Sequence, residues 1–256
     1  MLGEGELFKK LYIDGIVTNC FLRGVMKKTQ LLGLAGLSLA ATGFAAAEIE
    51  SSFHVGYSTD YVWRGVNQNN LAGTDSGLFE YGLDFTGSTE CGFDWNAGVW
   101  LADFGDNAQE RDFYASASKS FGLVDLELGA IRYDFDSNGG DTTELFLGAG
   151  TEFSGVALAA KVYYDVDAAD GATYGELSAS KSFELPSDIE LAVSANYGLT
   201  LADYADDYYT YGLSIAASKE LAEGLTGSIY VAGEITENHA SDGDDLFGGA
   251  SLAYSF

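Results

Sequence analysis

Leu246-Phe247-Gly248-Gly249-Ala250-Ser251-Leu252-Ala253-Tyr254-Ser255-Phe256, the last eleven residues, alternate in character. Leu246, Gly248, Ala250, Leu252, Tyr254 and Phe256 fall on one face, and Phe247, Gly249, Ser251, Ala253 and Ser255 on the other. A period of two marks a β-strand whose two faces meet different surroundings. Working back from this terminal strand, the same alternation recurs as far as Phe53, making twelve segments in all. The cleanest sets Ile189, Leu191, Val193, Ala195, Tyr197 and Leu199 against Glu190, Ala192, Ser194, Asn196 and Gly198. Another sets Phe79, Tyr81, Leu83 and Phe85 against Glu80, Gly82, Asp84 and Thr86. One face is apolar almost without charge, and the other is polar and acidic.

The connections alternate too. After even-numbered segments they are short, at 87–90, 122–123, 154–155, 184–188 and 222–224. After odd-numbered segments they are longer and acidic, as at 104–110, 134–143, 165–172 and 236–244. One Pro and 33 Gly suit a strand-rich chain with many tight turns. Phe85, Phe121, Phe153, Phe183 and Phe256 close down-going segments, while Tyr133, Tyr164, Tyr174, Tyr197, Tyr208 and Tyr209 gather at the other rim. Two aromatic girdles at two membrane interfaces account for both sets. Hydrocarbon offers no water to a strand edge, so strands that span it form a closed ring. The expected fold is therefore all-β, a closed antiparallel transmembrane β-barrel of about twelve strands, with short periplasmic turns and longer acidic outer loops. The terminal aromatic resembles the C-terminal signal of bacterial outer-membrane barrels. It makes Tyr254 and Phe256 closure residues, with the first strand as their partner and the barrel-assembly machinery as their reader. A soluble antiparallel sandwich also alternates. Against it stand the nearly uncharged apolar faces, the even strand count and the terminal Phe256.

The N-terminal region reads as export. Met26-Lys27-Lys28 is a basic start, Leu31 to Ala41 a short apolar run, and Ala45-Ala46-Ala47 a small-residue cleavage site. Residues 26–47 are thus a signal peptide, too short to span a bilayer as a helix, and residues 48–256 the barrel. Residues 1–25 fit neither scheme; they are an over-called start or an unexplained extension. Of the 12 basic and 39 acidic residues, five and three lie before the cut, leaving seven against 36. Such an acidic chain has no means of holding phosphates, which excludes nucleic acid as a partner. Cys20 and Cys91 are the only cysteines, and loss of Cys20 with the leader would leave Cys91 without an intramolecular mate.

If the apolar faces meet outer-membrane lipid and lipopolysaccharide, the other faces line a lumen. They carry Glu80, Asp84, Asp94, Asp112, Glu127, Glu144, Glu152, Glu176, Glu190 and Glu234, with Lys161 the main basic counterpart and Gly, Ser, Ala and Thr filling the rest. A ring of about twelve strands lies between filled eight-stranded barrels and open sixteen-stranded porins. An acidic lumen in a low-dielectric wall favours cations and neutral solutes. The expected activity is therefore passive diffusion of small solutes; the alternative is a non-conducting structural or surface-binding barrel acting through its acidic loops. Asp134, Asp136 and Asn138 match the first half of a calcium loop, but Leu145 stands where the closing acid belongs and Glu144 is one residue early. The other reading of that stretch is a turn-rich acidic loop. No catalytic site is expected. His54 shares its face with Ser52, and neither an orienting acid nor an oxyanion donor can be named. Ala117-Ser118-Lys119-Ser120-Phe121 recurs as Ala179-Ser180-Lys181-Ser182-Phe183 and as Ala217-Ser218-Lys219-Glu220-Leu221. Each copy sets a lysine where it can snorkel to periplasmic water or meet inner-leaflet headgroups.

The stretch Ser58-Thr59-Asp60-Tyr61-Val62-Trp63-Arg64-Gly65-Val66-Asn67-Gln68 resembles the opening motif of the TorF family of small Gram-negative outer-membrane porins. Gly98-Val99-Trp100, Ile131-Arg132-Tyr133 and residues 143–148 carry further similarity. The resemblance implies a small outer-membrane barrel and adds little about substrate. From the residues themselves, Asp60, Arg64, Asn67 and Gln68 lead from the first strand into the first long loop. Arg64 is expected to pin that loop to the wall through a salt bridge, with solute contact as the other role.

Overall fold

The computed structural model describes residues 49–105, 108–136, 140–169, 171–201, 207–239 and 243–256. The segment 1–25, the leader 26–47 and Asn138 lie outside the described residues. Strand β1 (Glu50–Ser58) leads into a long first loop. That loop contains β2 (Val62–Trp63), β3 (Val66–Asn67) and the short helix α1 (Gln68–Ala72). Then follow β4 (Leu78–Ser88), β5 (Asp94–Asp103), β6 (Gln109–Ser120), β7 (Asp125–Phe135), β8 (Thr142–Phe153) and β9 (Val156–Asp165). The rest are β10 (Thr173–Leu185), β11 (Ile189–Leu201), β12 (Tyr208–Ala222), β13 (Leu225–Glu237) and β14 (Gly243–Ser255).

Strands β4 to β14 pair each with the next, antiparallel, and β1 pairs with both β4 and β14, so twelve strands close into one barrel. The closing register sets Phe53 opposite Tyr254 on one side and Leu83 on the other. Ser51 and Phe256 exchange backbone hydrogen bonds of 3.2 and 2.9 Å, so the chain ends in the seam. A single closed sheet excludes the two-sheet sandwich and leaves no edge unpaired. Strands β8 and β9 are joined by Ser154 and Gly155, with φ of 55° and 73°, a two-residue turn whose twist matches the strands it joins.

The apolar faces point outward. Leu128, Leu147, Leu213 and Ile229 are 63%, 59%, 58% and 64% exposed, which inverts a soluble protein and suits hydrocarbon. Phe121, Phe153, Phe183 and Phe256 are exposed at the short-turn end, forming one aromatic row. The opposite row is thinner than expected. Tyr164 is exposed, and Tyr197 packs against Tyr209 and Tyr211. Tyr133 and Tyr174, by contrast, are buried and turned inward. The phenols that were to meet headgroups instead fill the barrel. Cys91 lies in the turn before β5; Cys20 lies outside the described residues.

The buried hydrophobic residues gather inside the long-loop end: Tyr61, Leu78, Ala102, Phe104 and Ala108, with Trp63 and Trp100 packed against them. The protein's small core is therefore a plug of loop 1 against the inner wall. A lumen lined mostly by small residues holds only toward the short-turn end. Toward the long loops, Trp100, Tyr114, Tyr133, Phe146, Tyr163 and Tyr174 point inward.

Candidate functional site: a cage and cavity beneath the first loop

Strands β2 and β3 form a hairpin, Val62 opposite Asn67 and Trp63 opposite Val66. Its turn is Arg64-Gly65, with φ of 51° and 75°. A two-residue turn with both φ positive suits a right-twisted hairpin, and glycine holds such a conformation without strain. Gly65 is also needed for space. A Cβ there would lie 2.3 Å from Thr210 Cγ2 and 2.3 Å from Thr236 Oγ1. Thr236 donates to the Gly65 carbonyl at 2.5 Å. The hairpin tip is thus seated on β12 and β13.

The base of the loop is fixed by amides. Asn67 donates to Asp60 and Asp245, both at 3.1 Å, while its oxygen accepts from the Asn70 amide to cap α1. The buried Asn69 accepts from the Tyr61 amide at 2.6 Å and donates to the carbonyls of Gly77 and Phe104. Gln68 donates to Val66 within the hairpin. Burial, then the charges of Glu110 and Asp112, hold the Tyr61 phenol well above the usual range. Asp60, Arg64, Asn67 and Gln68 are therefore all placed in the inserted loop.

Arg64 lies at the centre. Its Nη1 and Nη2 each meet a Glu144 oxygen at 2.7 Å, and Tyr133 donates to the same carboxylate at 3.0 Å. The guanidinium also sits 4.4 Å from the ring centre of Trp63, 4.7 Å from Tyr163 and 4.3 Å from Tyr174. A planar fork against a carboxylate, walled by aromatic faces, is a cage built for a delocalised cation. Only 11% of the Arg64 side chain and 7% of Glu144 remain exposed, so this is a desolvated pair that pins the loop.

Next to the cage is a cavity of about 390 Å³. Tyr61, Trp63, Arg64, Trp100, Tyr114, Tyr133, Tyr163 and Tyr174 line it, together with Asp112, Glu176, Asn196 and Glu234. Asp112 Oδ1 and Glu234 Oε2 are buried and make no hydrogen bond among the described residues. Glu176 accepts from Tyr174 at 3.1 Å. Glu80, one strand away, accepts from the Trp100 indole at 2.7 Å.

The remaining lumen candidates lie lower. Asp84 accepts from Tyr114 and sits 3.7 Å from His54 Nδ1. The structure thus supplies an acid beside His54, but beyond hydrogen-bond reach. Lys161 pairs with Glu127 at 2.8 Å and lies 4.9 Å from the Phe146 ring. Asp94, Glu152 and Glu190 are exposed toward the short-turn end, where Asp94 and Glu190 accept from Ser88 and Ser182. A second cavity there, about 560 Å³, is lined mainly by polar side chains including Asp94, Asn96, Ser116, Ser118 and Glu127.

The calcium reading meets a competitor. Asp134 and Asp136 both accept from Arg111, whose guanidinium supplies the positive charge that calcium would bring. Among the described residues no three metal-binding side chains gather. Glu110 is buried and belongs to β6, which begins at Gln109, inside the stretch 104–110 that the alternation reads as a connection. Alternation through Asp112 and Tyr114 would have turned it inward.

No protein-family profile and no curated protein sequence matches the chain, so the TorF resemblance is not confirmed. Solved structures do match in fold. The KdgM porin aligns with a TM-score of 0.52 at 11% identity, covering 80% of this chain and 99% of its own. The NanC porin aligns at 0.51 and 9%, covering 80% and 98%. An outer-membrane channel from Pseudomonas putida F1 aligns at 0.52 and 11%, covering 82% and 95%. The chain has the twelve-stranded closed barrel fold of outer-membrane porins and channels.

Proposed function

We propose that the protein is an outer-membrane channel for passive diffusion of small solutes, favouring cationic and neutral ones, and that it is not an enzyme. The supporting observation is where its cations go. Arg111 and Arg132 belong to the outer wall at the long-loop rim, bound to Asp134, Asp136, Asp141 and Asp167. Lys119, Lys181 and Lys219 belong to the outer wall near the short turns. Only Arg64 and Lys161 remain for the lumen, and each is matched by a carboxylate. Glu80, Asp112, Glu176 and Glu234 have no Arg or Lys within ion-pair distance among the described residues. Their field is focused by a low-dielectric wall and attracts positive solutes. A structurally similar porin, KdgM, has been solved with oligogalacturonate. That ligand is a polyanion, which an acidic lumen would repel.

The exterior supports a membrane setting in the same reading. The three lysines sit beside the short-turn aromatic row, level with anionic headgroups of the inner leaflet, and the rim arginines lie level with lipopolysaccharide phosphates. Tyr254 and Phe256, stacked at 5.9 Å in the closing strand, are offered to the assembly machinery as the last strand to pair. Liposome swelling tests the transport reading. Vesicles containing the refolded protein should admit arginine and small neutral sugars faster than glutamate or citrate. Equal or faster entry of the anions would contradict it. The seated loop favours one rival, a barrel closed at its outer end. That rival predicts swelling only after the hairpin is removed.

A further inference from the structure

The cavity beside Arg64 combines three properties that rarely meet by chance. It is open space of about 390 Å³, within the roughly 300–1,000 Å³ range of small-molecule sites. Its walls are indole and phenol rings. It also carries Asp112, Glu176 and Glu234, none paired with a cation among the described residues. Asp112 stands on β6 and Glu234 on β13, staves on nearly opposite sides of the ring, so carboxyl groups face the cavity from across the lumen. One buried oxygen of each, Asp112 Oδ1 and Glu234 Oε2, has no hydrogen-bond partner among the described residues. Buried acceptors of this kind are costly to leave unmatched.

The same wall already holds one organic cation. Arg64 occupies the adjoining cage, with Glu144 at 2.7 Å and ring centres at 4.3–4.7 Å from Trp63, Tyr163 and Tyr174. Arg64 is neutralised there and does not discharge the other three carboxylates. Aromatic faces with carboxylates attract ammonium and guanidinium groups through cation–π and charge-assisted contacts, and reject anions.

We propose that the cavity beneath the first-loop hairpin is a binding site for small organic cations bearing amine or guanidinium groups. Asp112 and Glu234 take the donors, and Trp100, Tyr114 and Tyr174 supply the rings. The site rests on the channel reading only for the route by which a solute arrives. It makes the lumen selective by binding as well as by field: an organic cation is held at the narrow outer half, whereas a neutral sugar of similar size passes without a stop.

Titration calorimetry on the refolded protein in detergent tests the site without requiring a conducting pore. The probes are spermidine and arginine methyl ester, with sorbitol and citrate as controls. Both cations should bind saturably and both controls should not. The double variant Asp112→Asn/Glu234→Gln keeps side-chain volume and should weaken spermidine at least tenfold. Asp188→Asn/Glu223→Gln, an equal charge change in two exposed short turns, should leave binding unaltered. Heat-modifiable gel migration checks that each variant is folded; if the cavity double variant does not fold, its two single variants carry the comparison. Binding unaffected by these changes, or shared by sorbitol, overturns the proposal. Cation-selective conductance without saturable binding overturns the site and leaves the channel reading intact. Saturable cation binding in a barrel that conducts nothing upholds the site and overturns the channel.

Discussion

Removing the Arg64 guanidinium leaves Glu144 buried without its cation, and breaking such a pair costs about 3–5 kcal/mol. The loss falls on the seat of loop 1 and not on the barrel ladder. Arg64→Ala should therefore expose residues 59–77 to protease while the barrel keeps its heat-modifiable migration. Arg64→Lys should not restore protection, because a point-like ammonium replaces neither the bidentate fork nor the stacked plane. Wild-type protection in either variant would contradict the latch. Gly65→Val should unseat the same hairpin by a different route. Its branched side chain would strike Thr210 and Thr236 and would sit at positive φ, a strain on the order of 1–3 kcal/mol. Protease access should match that of Arg64→Ala; a protected loop would contradict the packing. Lys161 is different. The pair with Glu127 is about a third exposed and worth no more than about 1 kcal/mol. Lys161→Gln should leave thermal stability nearly unchanged while raising cation preference, since it frees Glu127. A fall in cation preference would contradict the lumenal placement.

At the level of elements, period two carried most of the fold. It located all twelve barrel strands, the alternation of short and long connections, and the outward apolar faces. It was also right where a second expectation overruled it. Continuing from the outward Leu126 and Leu128, alternation turns Tyr133 inward; continuing from Leu177, it turns Tyr174 inward. Their place near strand ends points instead to a rim girdle, where lipid-facing tyrosines also occur. A phenol packs equally well against an inserted loop. The hairpin was legible only as a motif, since nothing local marks Arg64 for positive φ, and its carboxylate partner lies 80 residues away. Pairings at that range depend on which staves the closed ring brings together, and residue spacing does not encode them. The hairpin itself carries a prediction. Replacing residues 61–68 by a short Gly-Ser linker removes the plug from the long-loop core, so single-channel conductance should rise. Unchanged conductance would mean that the constriction lies elsewhere.

For the whole molecule, the deciding quantity is the distribution of seven basic residues against 36 acidic ones after residue 47. Net charge alone was readable from composition and argued only against polyanionic partners. The structure adds that five of the seven belong to the outer wall at two interface levels, and that both lumenal cations are matched. On the proposed channel reading, that arrangement leaves the lumen a negative field and predicts a cation preference. The reversal potential of the refolded protein in a planar bilayer under a KCl gradient tests it most directly. The potential should take the sign of K⁺ passing in preference to Cl⁻; a potential of the opposite sign would contradict the account.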